Sequence, residues 1–389
     1  MDGHPSQARP TRLSRRFPPV RLLRGVGIAL DARKMILAAV GLALLGAGWE
    51  LLNWLFNRNG TLVVGVDPEG VSDRMLGLPL SPESLAWAVA EPFRVLTAPF
   101  VGAFSTAPGV RSFVHAILAA VWAVAVWGIL GGAIARIAAV QQATGDRIGI
   151  VRAVRFALSR ALGLVGAPLA PMIGIGFFAA LCAPIGLLYR IPGPIGATVA
   201  GALAVLPLLA GLMMSLLLVG VAAGWPLMIA TVAVEAEDAF DALSRAYSYV
   251  YSRPSRYAAY VLISWAAGVI GLLVVMFFAW LVVHLAQWGL SFGGPSNRIG
   301  GLFFGGPKID GSTPARVHAA WLTVVRLLTH GWIYSYFFTS ATLIFVLLRH
   351  EVDGAAFHDL GGTGAEDLPF APELPQEGAI ASKTSEIPA

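Results

Sequence analysis

Five stretches of the chain contain no Asp, Glu, Lys or Arg: those between Arg111 and Arg136, Arg160 and Arg190, Arg190 and Glu235, Arg256 and Arg298, and Arg326 and Arg349. A helix crosses roughly 30 Å of hydrocarbon with about 20 apolar residues, each advancing about 1.5 Å. Every one of these stretches is long enough. A core helix of a soluble protein keeps one wet face and shows it as polar positions at helical spacing; these stretches do not. With a further apolar run near the N-terminus, the pattern predicts an all-α polytopic transmembrane helix bundle of about six spans, at 35–57, 112–136, 165–189, 195–222, 258–286 and 331–349. The run Ile191 to Val234 is long enough for two spans but has turn residues only towards its ends, Pro192 and Pro194 on one side and Gly224-Trp225-Pro226 on the other. It is read as one long, kinked helix followed by an interfacial segment, with five or seven spans as the alternatives.

The segments between the spans differ in kind. Residues 58–83 pass through Asn59-Gly60-Thr61 and Asp67-Pro68-Glu69-Gly70 and read as turns. Residues 84–105, with Glu91 and Arg94, are apolar but interrupted, which suits a helix lying in the interface. The stretch 289–317 is rich in Gly and Pro and reads as a mobile loop. From about Gly361 the chain is Pro-rich and mildly acidic without apolar periodicity, the composition of a disordered tail.

One pentapeptide recurs. Ala157-Leu158-Ser159-Arg160-Ala161 returns unchanged as Ala242-Leu243-Ser244-Arg245-Ala246, each copy following a polar stretch and preceding Pro and then a span. Around the second copy, Phe240, Leu243, Tyr247 and Val250 fall on one side of a helix, with Glu237, Asp241, Ser244, Arg245 and Ser248 on the other. That is the pattern of an amphipathic helix lying on the membrane. The expected organisation is a basic cytoplasmic arm (1–34), a two-span N-terminal part (35–140), two parallel units of a surface helix plus two spans (141–234 and 235–350), and the tail (351–389).

The stretch Ala236 to Tyr257, AEDAFDALSRAYSYVYSRPSRY, resembles a recurring block in uncharacterised bacterial polytopic membrane proteins, and Ile344 to Gly354, IFVLLRHEVDG, resembles the end of the same proteins. More loosely, the chain is similar to the membrane domain attached to some glycerophosphodiester phosphodiesterases. The resemblance covers about 150–355. It implies an all-helical membrane fold without an assigned activity, and no site residue follows from it.

Composition agrees with the pattern: 57% of the 389 residues are hydrophobic and 13% charged, against about 25% charged in soluble domains, and the mean hydropathy is +0.72. Cys182 is alone, so no internal disulfide can form, and it reads as a small buried hydrophobe. Eight basic residues, Arg9 to Lys34, precede the first span with no short apolar region and cleavage site after them, the layout of a cytoplasmic arm before a signal-anchor helix. With the N-terminus inside, inner segments hold 18 Lys and Arg and outer segments 8, which puts both termini on the cytoplasmic side of a bacterial cell membrane. The expected partners are the lipid bilayer, anionic headgroups at the basic arm and other membrane proteins, rather than nucleic acid.

Ionisable residues inside spans cost about 2.5–3.5 kcal/mol to insert and so mark candidate sites. Glu50 lies in the first span with Asn53 about one turn on and Trp49 and Trp54 beside it; it can serve as a substrate or proton site facing the bundle interior, but the plainer reading is a carboxylate near the outer interface. Arg326 and His330 share a helix face, where they can hold an anion, partner Glu50, or simply snorkel from an interfacial segment. His115 and His284 are lone imidazoles. Gly289-Leu290-Ser291-Phe292-Gly293 matches a hydrolase nucleophile motif, but without the preceding strand or a nearby acid that the chemistry requires. His350-Glu351 lacks the second His of a zinc helix, and a set of His350, Asp353 and His358 has nothing further to support it. No P-loop or dinucleotide fingerprint occurs, and neither a cofactor nor a metal is implied. Three classes remain: non-catalytic membrane organisation or scaffolding, permease or channel-like transport of a small solute or lipid, and, least supported, a membrane enzyme using Ser291 or His284.

Overall fold

The structure is a computed structural model that describes residues 20–56, 82–103, 110–294 and 313–355. Among these residues the chain forms helices α1 (Val20–Ala29), α2 (Ala32–Leu55), α3 (Pro82–Val89), α4 (Glu91–Ala103), α5 (Val110–Thr144), α6 (Ile150–Ser159), α7 (Ala161–Leu188), α8 (Pro194–Ala202), α9 (Val205–Glu235), α10 (Ala239–Ser252), α11 (Pro254–Leu290) and α12 (Thr313–Asp353). Six of them, α2, α5, α7, α9, α11 and α12, are long and apolar enough to cross a membrane. The chain is an all-α, multi-spanning membrane helix bundle, because in hydrocarbon a backbone can satisfy its amides only within helices or closed barrels.

The core is built around α12. It packs against α1, α2, α5, α9 and α11, and buries Trp332, Tyr334, Phe338 and Phe345 completely or nearly so. Backbones approach closely at small residues: a Cβ on Gly331 would lie 2.8 Å from the Met35 carbonyl oxygen and 3.2 Å from the Ala39 nitrogen of α2. This is the packing expected where no hydrophobic force drives helices together and contact area does. By contrast α7 and the first half of α9 are mostly exposed, showing residues such as Ile173, Phe177 and Leu208. In a bilayer that flank faces lipid.

Several expected boundaries move. The fourth span does not stop at 222: α9 runs straight through Gly224-Trp225-Pro226 to Glu235, while Pro194–Ala202 is a separate short helix. Proline removes a helical hydrogen bond, here the one the Ala222 carbonyl would accept; one residue on, the Tyr257 hydroxyl donates to the Ala223 carbonyl at 2.5 Å. The approach to the last span is helical and continuous with it: α12 runs over 41 residues. The expected interfacial helix at 84–105 is two helices meeting at Ala90, packed against α11 and α5 through the buried residues Leu85, Val89, Val95 and Leu96. Part of the basic arm is also built in, since α1 packs on α11 and α12 and buries Leu22 and Ala29. The two copies of the repeated pentapeptide sit in different places, the first across the break between α6 and α7 and the second within α10. Arg9 to Arg16, residues 58–81, most of the Gly/Pro-rich loop and the tail from 356, with His358, lie outside the described residues.

Candidate functional site

One face of the bundle carries α6, α10, the start of α2 and the ends of α5, α9 and α12. It is held by charge. Glu235, the last residue of α9, is followed by Ala236 in the left-handed conformation (φ 56°), which turns the chain sharply. Asp238 then caps α10, accepting from the Phe240 and Asp241 amides at 2.9 and 3.0 Å. Arg349 and Arg245 each approach the buried Glu235 carboxylate to 2.7 Å, and Arg245 also meets Glu237 at 3.0 Å. Arg245 therefore turns its guanidinium towards the protein while its side chain stays partly exposed. The protein-facing side of α10 buries Ala242, Ala246, Tyr249 and Val250; Asp241, Ser244 and Ser248 are exposed. Phe240 is exposed, and Leu243 and Tyr247 are half-buried. The Tyr247 hydroxyl donates to the Leu217 carbonyl of α9 at 2.8 Å, with its ring against Gly220. Burial, then the nearby Tyr251, pushes the Tyr247 phenol up to about 12. Burial, followed by a hydrogen bond to Asp353, also raises the Tyr249 phenol.

The same face holds two further anchors. Lys34 is fully buried and donates to the Gln141 side chain at 3.1 Å, while Arg33 donates to the Arg147 and Ile148 carbonyls at 3.0 and 2.9 Å. Arg136 donates to the Ala233 carbonyl at 3.0 Å and lies 4.4 Å from the Phe156 ring centroid. A cation at a helix C-terminus is favourable. These contacts bind α2, α5, α6 and α9 together, and they account for the charges as structure.

A different arrangement lies deeper. Glu91 at the start of α4 is buried, and one of its carboxylate oxygens meets His330 Nε2 of α12 at 2.7 Å and accepts from the Tyr334 hydroxyl at 3.3 Å. Its other oxygen is buried without a hydrogen-bond partner. The imidazole stacks on Tyr334, and Tyr334 stacks on Trp127 of α5 with ring centroids 4.5 Å apart. Trp127 forms part of the wall of a partly open cavity of about 300 Å³ between α4, α5, α7 and α9. Phe93, Met172, Leu218 and Trp225 are among its other lining residues. Thr97 contributes the one hydroxyl, and that hydroxyl already donates to the Phe93 carbonyl at 2.8 Å. The indole N–H groups of Trp127 and Trp225 are buried without a hydrogen-bond partner; the remaining lining is apolar and matches a hydrocarbon chain in size and chemistry.

No family model, curated protein or solved structure matches the chain. The site must therefore be read from its own residues.

Of the residues singled out from the sequence, only His330 joins the buried polar cluster, and its partner is Glu91, not Glu50. Glu50 is exposed on α2. Asn53 pairs instead with His115 at 2.9 Å, closing α2 on α5. Arg326 is half-buried on α12 one turn before His330. The Ser291 hydroxyl donates to the Trp288 carbonyl at 2.6 Å, and His284 Nδ1 faces the Trp280 carbonyl at 2.9 Å, so each is tied to its own helix. Among the described residues no three of His, Cys, Asp and Glu gather as a metal-ligand set. Glu91 carried a signal that the sequence offers, an acid in an otherwise apolar segment. What hid it was the expectation that the segment lies flat at the interface.

Proposed function

We propose that this is a non-catalytic protein of a bacterial cytoplasmic membrane that organises the surrounding bilayer by holding a lipid acyl chain between α4, α5, α7 and α9. The observation that supports this is the apolar cavity walled by Trp127 and Trp225. Three of its walls, α5, α7 and α9, are helices long and apolar enough to cross a membrane, and the flank formed by α7 and the first half of α9 is mostly bare of protein, so hydrocarbon is what reaches it. The excess of Lys and Arg in the inner segments supports a topology with both termini cytoplasmic, and the basic arm suits anionic headgroups, at about 1 kcal/mol per basic residue near the surface. The test is lipid retention. Full-length protein purified in detergent should carry phospholipid through gel filtration, detected by native mass spectrometry. Ala222→Phe, which fills the cavity, should lose it while keeping its elution position. Equal retention by both proteins would sink the proposal.

A second function, transport of a small solute or lipid, draws on the buried Glu91–His330 pair, since ionisable pairs within membrane bundles commonly mark transport paths. Liposomes carrying the protein should then move a fluorescent lipid between leaflets, and Glu91→Gln should slow the movement. Rates equal to those of empty liposomes would remove transport of lipid from consideration.

A further inference from the structure

We infer that the bound lipid is an anionic phospholipid and that Arg94 holds its phosphate; this rests on the acyl-chain proposal above. Phe93 and Thr97 of α4 line the cavity. Arg94 follows Phe93 directly and precedes Thr97 by three residues, so helical geometry sets it at the edge of the lining face. Its side chain is exposed, with the guanidinium 5.4 Å from the centroid of the exposed Trp87 ring on α3. Glu91, three residues earlier on the same helix, is committed through one carboxylate oxygen to His330 and Tyr334, whereas the Arg94 side chain is exposed. The guanidinium thus sits on the helix that lines an apolar slot, between two of the lining residues in sequence and with an indole beside it. A planar, permanently charged fork of donors suits phosphate oxygens, and an indole suits the boundary between headgroup and chain. An apolar slot with a cation at its rim is complementary to a molecule with a hydrocarbon chain below an anion.

The experiment offers detergent-solubilised full-length protein an equal mixture of phosphatidylglycerol and phosphatidylcholine with identical chains, and counts the retained lipids by native mass spectrometry. The expected result is about a fivefold preference for phosphatidylglycerol, the ratio that about 1 kcal/mol from one basic residue near a headgroup gives. Arg94→Ala should bring the ratio close to one while still retaining lipid, and Arg94→Lys should keep most of the preference. Retention of both lipids in equal amounts by the wild type would overturn the headgroup inference and leave the acyl-chain proposal standing. An undiminished preference in Arg94→Ala would overturn it equally. Loss of all lipid selectivity and all lipid retention in the wild type would remove both.

Discussion

Glu235 and Arg349 meet at 2.7 Å between the last residue of α9 and the last turns of α12, with the carboxylate side chain only 2% exposed. The second carboxylate oxygen faces Arg245 of α10 at the same distance. One buried acid thus joins three helices by charge, without well-aligned hydrogen bonds to either oxygen. Removing one member of a buried pair strands the other charges, which costs about 3–5 kcal/mol. Glu235→Ala should therefore sharply lower the unfolding midpoint in detergent. Arg245→Ala should cost less, because its side chain is 40% exposed and exposed pairs contribute about 0–1 kcal/mol. Similar midpoints for the two variants would contradict the assignment.

Gly331 fixes the distance between α2 and α12. Any side chain there must displace the Met35 carbonyl or the Ala39 amide, both backbone atoms. Overpacking of this kind costs about 1–3 kcal/mol or more. Gly331→Leu should reduce the yield of monodisperse protein, whereas the same change at Gly46, which has open space around it, should not.

If α10 lies at the membrane surface, its exposed Phe240 contacts lipid. A spin label at Phe240→Cys should be broadened by a lipid-soluble relaxation agent, and one at Ser244→Cys by a water-soluble one. Water-like accessibility at both positions would place α10 clear of the bilayer.

The Tyr247 phenol titrates near 12 in the folded protein, against about 10 unfolded. The folded state thus favours the protonated form, so this contribution to stability is complete below about pH 10 and disappears as pH rises towards 12. Denaturation in detergent should become easier across that window, and Tyr247→Phe should flatten the dependence. An unchanged alkaline slope in the variant would show that Tyr247 is not its source.

Glu91 and Glu50 should behave oppositely. Glu91→Ala leaves His330 and the Tyr334 hydroxyl without their acceptor, a loss of about 1–3 kcal/mol per stranded group. Glu91→Gln keeps an acceptor and should recover much of it. Glu50→Gln, at an exposed position, should stay within about 0.5 kcal/mol of wild type. Thermal unfolding of the three variants side by side decides this.

By itself the sequence determined the solvent and the class of fold. Runs such as Arg256 to Arg298 make a membrane helix inevitable, because the free energy of burying about 20 apolar residues is a local sum that needs no knowledge of neighbours. The helix at 239–252 was equally legible from its two-sided apolar and polar pattern. Tertiary structure alone decided which charges meet. Whether His330 finds Glu50 or Glu91 depends on the depth and rotation of α4 against α12, and the turn of Arg245 towards Glu235 was hidden because a two-sided helical wheel has no third side for protein. Such pairings arise between segments distant in sequence, where hydrophobic periodicity is silent because lipid and protein interior are equally apolar.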